Sequence, residues 1–326
     1  VLVLSRRDVA ELLTLPDCIA AVERAFRLHA DGASLGPAVL GVPAGAGGFH
    51  VKAAGLRGDR SYFAAKTNGN FPDNPRRSGR PAIQGTVVLA DAVDGTPLAV
   101  IHSGSLTALR TGAATAVAAR LLARADARTA TLVGCGAQGD VQLDALAAVL
   151  PLQRAWVLDL DPGRAEAAAA RATARLGIPV EATTDLRAAL RASDVCATCT
   201  PARGALVSAA DVAPGTFIAA VGADSQGKQE LDPALVAAAT LVVDVVEQCA
   251  EIGELQHALA AGLMTRQQVH AELADVVAGR RPGRSRPDEI TIFDSTGTAL
   301  QDVAAALAVY EQARARGRGT EVALDD

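Results

Sequence analysis

TATLVGCGAQGDVQLDAL, residues 129–146, is an apolar run that ends in Gly134-Cys135-Gly136-Ala137-Gln138-Gly139 and opens directly into a helix-patterned stretch. Roughly 20 residues past Gly139, a second apolar run, Ala155-Trp156-Val157-Leu158, ends in Asp159. Gly134 permits a tight strand-to-helix turn, and Gly136 lets a pyrophosphate approach bare backbone. Gly139 allows close helix–strand packing, while Ala137 and Gln138 lie in the turn and the helix N-terminus offers unpaired N–H groups to phosphate. The alternative is an ordinary glycine turn. A strand before, a helix after and an acid at the right distance weigh against it and point to a bound dinucleotide.

The rest of the chain is consistent with that. At 326 residues it suits two domains or one large one. No uninterrupted apolar run approaches the ~20 residues of a membrane span. A net charge of −5 and 3% aromatic residues argue against a nucleic-acid partner. No cationic-then-apolar leader opens the sequence, and five cysteines in so long a chain fit free thiols, so a cytoplasmic location is expected. Cys196 and Cys199 have CxxC spacing, but they sit in a strand-like run rather than at a helix start, and a second ligand pair is absent. They read as buried, inert thiols, and no metal site is expected.

From about residue 113 to 295, strand-like runs at 130–134, 155–159, 194–199, 216–221, 241–246 and 290–293, with a weaker one near 179–182, alternate with helical patterns. Their near-continuous apolar character suggests strands buried on both faces. The fold class is therefore α/β: a Rossmann doubly wound parallel sheet, with ligands beyond the carboxyl ends of its strands. Residues 1–112 read instead as a separate α+β domain. Ser5 caps a short helix, a longer one runs from Pro16 to His29, and short strands follow at 39–42, 49–53, 62–67, 86–91 and 98–102, with a hairpin signal at Asp94-Gly95. A helix over 105–124 leads into the nucleotide domain, and a last helix over 299–313 is expected to pack back on the first domain. The expected division is 1–112 with 298–326 for substrate binding and dimerisation, and 113–297 for the cofactor.

Three charged residues stand out. Lys66 ends an apolar strand, where burying an ammonium is costly unless it is paired. Arg110 is the charge in a helical stretch of mostly small, apolar residues, and a guanidinium suits a planar carboxylate. For both, the alternative is a solvated charge. Asp224 lies just past the strand near 216–221, where a cofactor's reactive end would sit, and Thr200, Val221 and Gly222 join the expected cofactor contacts at the same edge. The alternative for Asp224 is to cap a turn. Gly222 to Gln229 nearly matches a P-loop, but Gln229 replaces the hydroxyl residue that would hold Mg²⁺.

Together these residues resemble the ornithine cyclodeaminase / mu-crystallin family over nearly the whole chain. The resemblance rests on Lys66-Thr67 before Asn68-Gly69-Asn70-Phe71-Pro72-Asp73-Asn74-Pro75, and on Leu106-Thr107-Ala108-Leu109-Arg110-Thr111-Gly112. It rests also on the glycine loop, Val221-Gly222-Ala223-Asp224 with Gly227-Lys228-Gln229-Glu230-Leu231, and Phe293-Asp294-Ser295-Thr296-Gly297 with Gln301-Asp302. It implies a homodimer paired through the N-terminal sheets, and hydride transfer between a nicotinamide cofactor and the Cα of an amino or imino acid. In that setting Arg110 binds the substrate carboxylate and Lys66 holds it too or assists proton transfer. Asp224 is the general acid/base at nitrogen or activates a water, and Ser295, Thr296 and Gly297 lie near the nicotinamide. Asp159, followed by Leu160 where NADP-using relatives tend to place Arg, favours NAD.

The chain departs from the family's cyclodeaminases in the first domain. Pro37-Ala38-Val39 stands where many members carry a substrate-binding Arg, and His50-Val51-Lys52 where ornithine-acting members have an acid followed two residues later by Met. Lys52, beside His50 as a further substrate contact, either replaces the missing Arg or, together with Lys66 and Arg110, admits a substrate with a second carboxylate. The leading expectation is an NAD-dependent imine reductase or amino-acid dehydrogenase. The alternatives are an ornithine or lysine cyclodeaminase and a non-catalytic small-ligand binder.

Overall fold

The computed structural model describes residues 1–324, and the chain divides into two units, Val1–Ala113 with the residues from Thr298 onward, and Ala114–Gly297. In the first unit Ser5 closes a capping box with Asp8 at the start of helix α1 (Arg6–Leu12). Thr14 accepts from Asp17 N to cap helix α2 (Leu15–Ala30). Six strands follow the chain: β1 (Leu2–Leu4), β2 (Ser34–Ala44), β3 (Gly47–Arg57), β4 (Ser61–Asn70), β5 (Ile83–Asp91) and β6 (Pro97–His102). With the short strand Thr320–Glu321 at one edge, the sheet runs Thr320–Glu321, β1, β6, β5, β4, β3, β2. The β2–β6 neighbours pair antiparallel, and the β5–β6 hairpin turns at Gly95, whose φ of +81° is one that glycine adopts readily.

The period-two alternation of these strands separates two faces. Ala54, Ala64, Val87, Leu89, Ala99 and Ile101 are buried on one side, where the helix Ala299–Arg316 packs against α2, β3 and β4. Fully burying a Leu or Ile side chain contributes about 1.5–3 kcal/mol. The other side carries Val3, Val88, Phe63, Phe49, Leu40 and Val42, all exposed. This face carries exposed apolar side chains on strand after strand, with Thr67, Gln84 and Thr86 among them.

In the second unit the chain forms β7 (Thr129–Val133), β8 (Arg154–Leu158), β9 (Val180–Ala182), β10 (Val195–Thr198), β11 (Arg203–Val207), β12 (Phe217–Ala220), β13 (Gln229–Leu231), β14 (Thr240–Val243), β15 (Ala271–Glu272) and β16 (Thr291–Asp294). Eight of these make a sheet in the order β15-β14-β16-β12-β10-β7-β8-β9, every neighbouring pair parallel. This is the doubly wound sheet. Its strand order reverses between β7 and β10, so the switch point lies at the end of β7, where the glycine loop begins. Ile218, Leu241, Val243 and Ile292 fill one side of its core.

One local reading differs, and a second segment takes a form the sequence did not indicate. The strand expected over 241–246 stops at Val243, because Asp244 turns its carboxylate to accept the backbone N–H of Val245 and Gly297. The segment after Asp224 contains β13, which pairs parallel with β11 as a separate two-stranded sheet. A P-loop would have opened a helix there; Gln229 opens a strand. Among the described residues no helix is long and apolar enough to cross a membrane.

Candidate functional site

The glycine loop has the shape a pyrophosphate needs. Gly134 takes φ +102°, and a Cβ there would meet Cys199 O at 3.0 Å; at Gly139 it would meet Gly134 O at 2.7 Å. Neither position tolerates a side chain. At Gly136 a Cβ would meet nothing within 4 Å, so the open space lies over bare backbone. The helix Gly139–Ala147 begins without a side-chain cap; Gly139 N is held by Gly136 O at 3.1 Å, and a helix N-terminus of this kind favours an anion. Gln138 Oε1 is buried with no hydrogen-bond partner. The residues present fit a dinucleotide.

Asp159 closes the far side of this cradle. One carboxylate oxygen accepts Cys135 N at 2.9 Å and the other accepts Asp161 N at 3.0 Å, so the group is held at the end of β8. Arg164 lies 3.5 Å away and is half-exposed, whereas Leu160 is fully exposed. Asp159 and Arg164 pull in opposite directions on an adenosine 2′ substituent: the acid accepts from a hydroxyl and repels a phosphate, and the arginine attracts one. In a fluorescence titration the protein should bind NADH at least tenfold more tightly than NADPH. Asp159→Ala should remove that margin by freeing Arg164; an unchanged ratio would show that Asp159 does not read the ribose.

At the carboxyl edge of the same sheet, the backbone is tied down by an acid that the sequence reading gave no role. Glu230, fully buried on β13, accepts Thr200 N at 2.6 Å, Thr198 Oγ1 at 2.7 Å and Gly222 N at 2.8 Å. It thereby joins the ends of β10 and β12. Burial pushes its carboxyl up, and these donors oppose the shift. Glu254 in turn accepts the N–H groups of Glu230 and Leu231, and burial pushes it up to about 9. Val221 N bonds Thr198 O, and Gly222 is packed so closely that a Cβ would lie 2.4 Å from Thr200 O. Thr200, Val221 and Gly222 are thus fixed together.

Asp224 stands on the loop that follows. Its Oδ1 accepts from Lys228 Nζ at 2.6 Å, and roughly half of its side chain is exposed. The loop is anchored beyond it by Gly227 N donating to Gln256 Oε1 and by His257 Nε2 at 2.7 Å from Lys228 O. Asp224 is therefore a carboxylate with an ammonium neighbour on a restrained loop. At the end of β16, Ser295 is buried with Oγ unpartnered, while Thr296 Oγ1 and Gly297 N both donate to the buried carboxylate of Asp244.

The first unit supplies a different chemistry. Lys52, Lys66 and Arg110 are 8%, 3% and 5% exposed, so the solvated-charge reading of Lys66 and Arg110 does not hold. Lys66 and Arg110 gather on one buried acid, Asp302, from the C-terminal helix. Lys66 Nζ lies 2.8 Å from both carboxylate oxygens of Asp302. Arg110 donates from Nε to Asp302 at 2.9 Å and from a terminal nitrogen to Gln301 Oε1 at 2.9 Å. Lys52 and Lys66 are directly opposite each other in the β3–β4 ladder, an arrangement that destabilises a sheet when both carry charge. Burial, Arg110 and Lys52 push the Lys66 ammonium down to about 7, against Asp302. A carboxylate brought in by a small molecule would find three cationic side chains on one face. His50, half-buried, lies on the same face of β3, opposite Asn68.

The register also places Val39 directly across the β2–β3 ladder from Lys52. Side chains so paired share a face at about 5 Å between Cβ atoms. The cysteines are free, and burial pushes the thiols of Cys135, to about 11, and of Cys196 and Cys199 up, away from the thiolate form. Among the described residues no group of three or more His, Cys, Asp or Glu side chains could hold a metal ion.

Comparison with known proteins gives the context of this geometry. The model of the ornithine cyclodeaminase/mu-crystallin family matches residues 1–317. An archaeal alanine dehydrogenase dimer solved with bound NAD is 37% identical, with a TM-score of 0.94 and 99% of each chain covered. The Δ¹-pyrroline-2-carboxylate reductase of Thermococcus litoralis, solved with NADH and L-proline, is 34% identical with a TM-score of 0.95, covering 99% of this chain and 100% of that one. The iminosuccinate reductase of Paracoccus denitrificans, solved with NAD⁺, is 36% identical with a TM-score of 0.91, covering 99% of each chain.

Proposed function

The chain belongs to the ornithine cyclodeaminase/mu-crystallin family, and from that premise we propose that it is an NAD-dependent oxidoreductase acting on the C–N bond of a small α-imino or α-amino acid. The observation that carries this reading is the gathering of Lys52, Lys66 and Arg110 on one face of the first unit, in a chain whose second unit has a complete dinucleotide loop. The three neighbours described above were solved with NAD or NADH, and their names describe an amino-acid dehydrogenase and two imino-acid reductases.

Bound NAD supplies the hydride acceptor, or in its reduced form the donor. Gly134, Gly136, Ala137, Gln138 and Gly139 hold its pyrophosphate, and Asp159 takes the adenosine ribose. Thr200, Val221, Gly222, Ser295 and Gly297 border its reactive end. Arg110 and Lys66 grip the substrate carboxylate and so orient Cα. Asp224 gives a proton to the imine nitrogen during reduction, or takes one from the amine during oxidation, directly or through a water it orders.

Lys52 completes the carboxylate grip in place of an arginine at residue 39, because the ladder sets the two positions side by side. Lys52→Ala should therefore raise KM about tenfold or more, and equally for monocarboxylic and dicarboxylic imino acids. A loss confined to dicarboxylic substrates would instead assign Lys52, with His50, to a second carboxylate. Cyclodeamination of a diamino acid is less well supported, since His50 and Lys52 offer no anion to a distal ammonium. The exposed apolar face of the first unit's sheet supports a homodimer formed through that face, because contiguous apolar patches of this kind mark association surfaces.

The deciding experiment follows NADH consumption over a panel of 2-oxo acids, each with and without ammonia or methylamine. Oxidation of NADH that needs both the oxo acid and the amine is the expected result. Ammonia release from ornithine or lysine with no net change in NADH would replace this reading with the cyclodeaminase one.

A further inference from the structure

Asp302 is the acid at the centre of the cationic cluster and is buried more deeply than Lys52, Lys66 or Arg110. We propose that Asp302 is a positioning residue of the carboxylate site: it clamps Lys66 and Arg110 side by side, and it keeps the Lys66 ammonium charged so that both can grip one substrate carboxylate. The inference rests on the assignment of Lys66 and Arg110 to the substrate carboxylate.

The geometry carries it. Lys66 Nζ is 2.8 Å from both Asp302 oxygens, and Arg110 Nε is 2.9 Å from one of them. Two long side chains from different elements, β4 and the helix Ser103–Leu122, thus share one short acid. Arg110 is fixed at a second point by Gln301 Oε1, so the plane of its guanidinium is set by two consecutive residues of the C-terminal helix. A clamp of this kind spares the cost of ordering two flexible cations each time substrate arrives.

The charges around Lys66 can be followed element by element. Lys52 on β3 and Arg110 on its helix oppose the ammonium, and Asp302 supports it. Val87, its neighbour across the β4–β5 ladder, is apolar. Cys18 of α2, which interacts with both Arg110 and Asp302, has a thiol that burial pushes up to about 12, so it is neutral. Asp302 itself is held below the usual carboxylate range by Lys66 first among these charges, then Arg110 and Lys52, despite its burial. Burial and the two neighbouring cations push the Lys66 ammonium down to about 7 even with this support. Removing the acid's charge moves Lys66 further toward the neutral amine, because an opposite charge at this range is worth about one to three pH units.

Asp302→Asn keeps the shape and removes the charge. The alkaline limb of the pH profile of kcat/KM, which reports groups of the free enzyme, should move down by at least one unit. KM at pH 8 should rise more than tenfold, with a much smaller rise at pH 6. A uniform rise in KM at all pH values would overturn the proposal and leave a purely structural role. The same midpoint can be read without turnover, from the NMR titration of ¹³C-labelled lysine side chains, with the Lys66 signal assigned by its loss in Lys66→Arg. If Asp302→Asn leaves that midpoint in place, the proposal fails. If the midpoint moves but carboxylates neither bind nor react, the electrostatic role stands and the assignment of the substrate site falls. Should the Asn variant not fold, Asp302→Glu decides. It retains the charge but displaces it, so KM should rise with the midpoint kept near that of the natural protein, and an unchanged KM would overturn the clamp.

Discussion

Asp224→Asn should lower kcat by about 10²–10⁴-fold, the usual contribution of one general acid or base, while leaving NADH affinity within a factor of two. The asparagine keeps the volume and can still bond Lys228, so the loop anchored by Gln256 and His257 should hold its place. What it cannot do is exchange a proton with nitrogen. The measurement pairs steady-state rates with NADH fluorescence titration in the same preparation. Turnover retained within tenfold would exclude Asp224 from proton transfer and direct attention to Lys66, whose ammonium is pushed down to about 7.

The second large effect is expected at Arg110. Truncating one partner of a buried, hydrogen-bonded charge pair costs about 2–5 kcal/mol, so Arg110→Met should raise KM for the amino or imino acid by about 30- to several thousandfold. The thermal midpoint should also fall, since Asp302 and Gln301, both buried, each lose a donor. Arg110→Lys should recover only part of the loss. An ammonium on an unbranched stem cannot bond Asp302, Gln301 and a substrate carboxylate in one plane. If Arg110→Met changes the thermal midpoint but not KM, Arg110 belongs to the scaffold alone.

Much of this was legible along the chain because the signals are local. The glycine loop, the apolar strand before it and Asp159 after it lie within a short span of sequence, and each glycine answers a steric demand at its own position. The parallel sheet followed from β-branched, two-sided burial in β10, β12 and β16. Lys66 and Arg110 were conspicuous as charges among apolar neighbours. Their joint acid was not, because Asp302 lies 236 positions after Lys66 in a helix that reads as ordinary. Glu230 escaped for a related reason: an acid in a three-residue strand looks like a surface charge until the backbone donors of Thr200 and Gly222 are brought to it. The relation of Val39 to Lys52 is a property of strand register, which neither β2 nor β3 states alone. Register emerges only on pairing.

The C-terminal helix that supplies Gln301 and Asp302 also has a consequence for biosynthesis. The second unit is, in effect, an insertion within the first: its residues, Ala114–Gly297, are made after the six-stranded part of the sheet and before the helix that covers it. At about 5–20 residues per second, the ribosome leaves β1–β6 without that cover for about ten seconds or longer, while the nucleotide-binding unit emerges and can fold first. Until residues 299–316 appear, Lys66 and Arg110 have no acid between them, and the nascent sheet carries both apolar surface and unpaired charge. Quality control by chaperones therefore has a defined window to act in, and a ribosome that stops early releases a chain with a finished cofactor module and an unfinished partner.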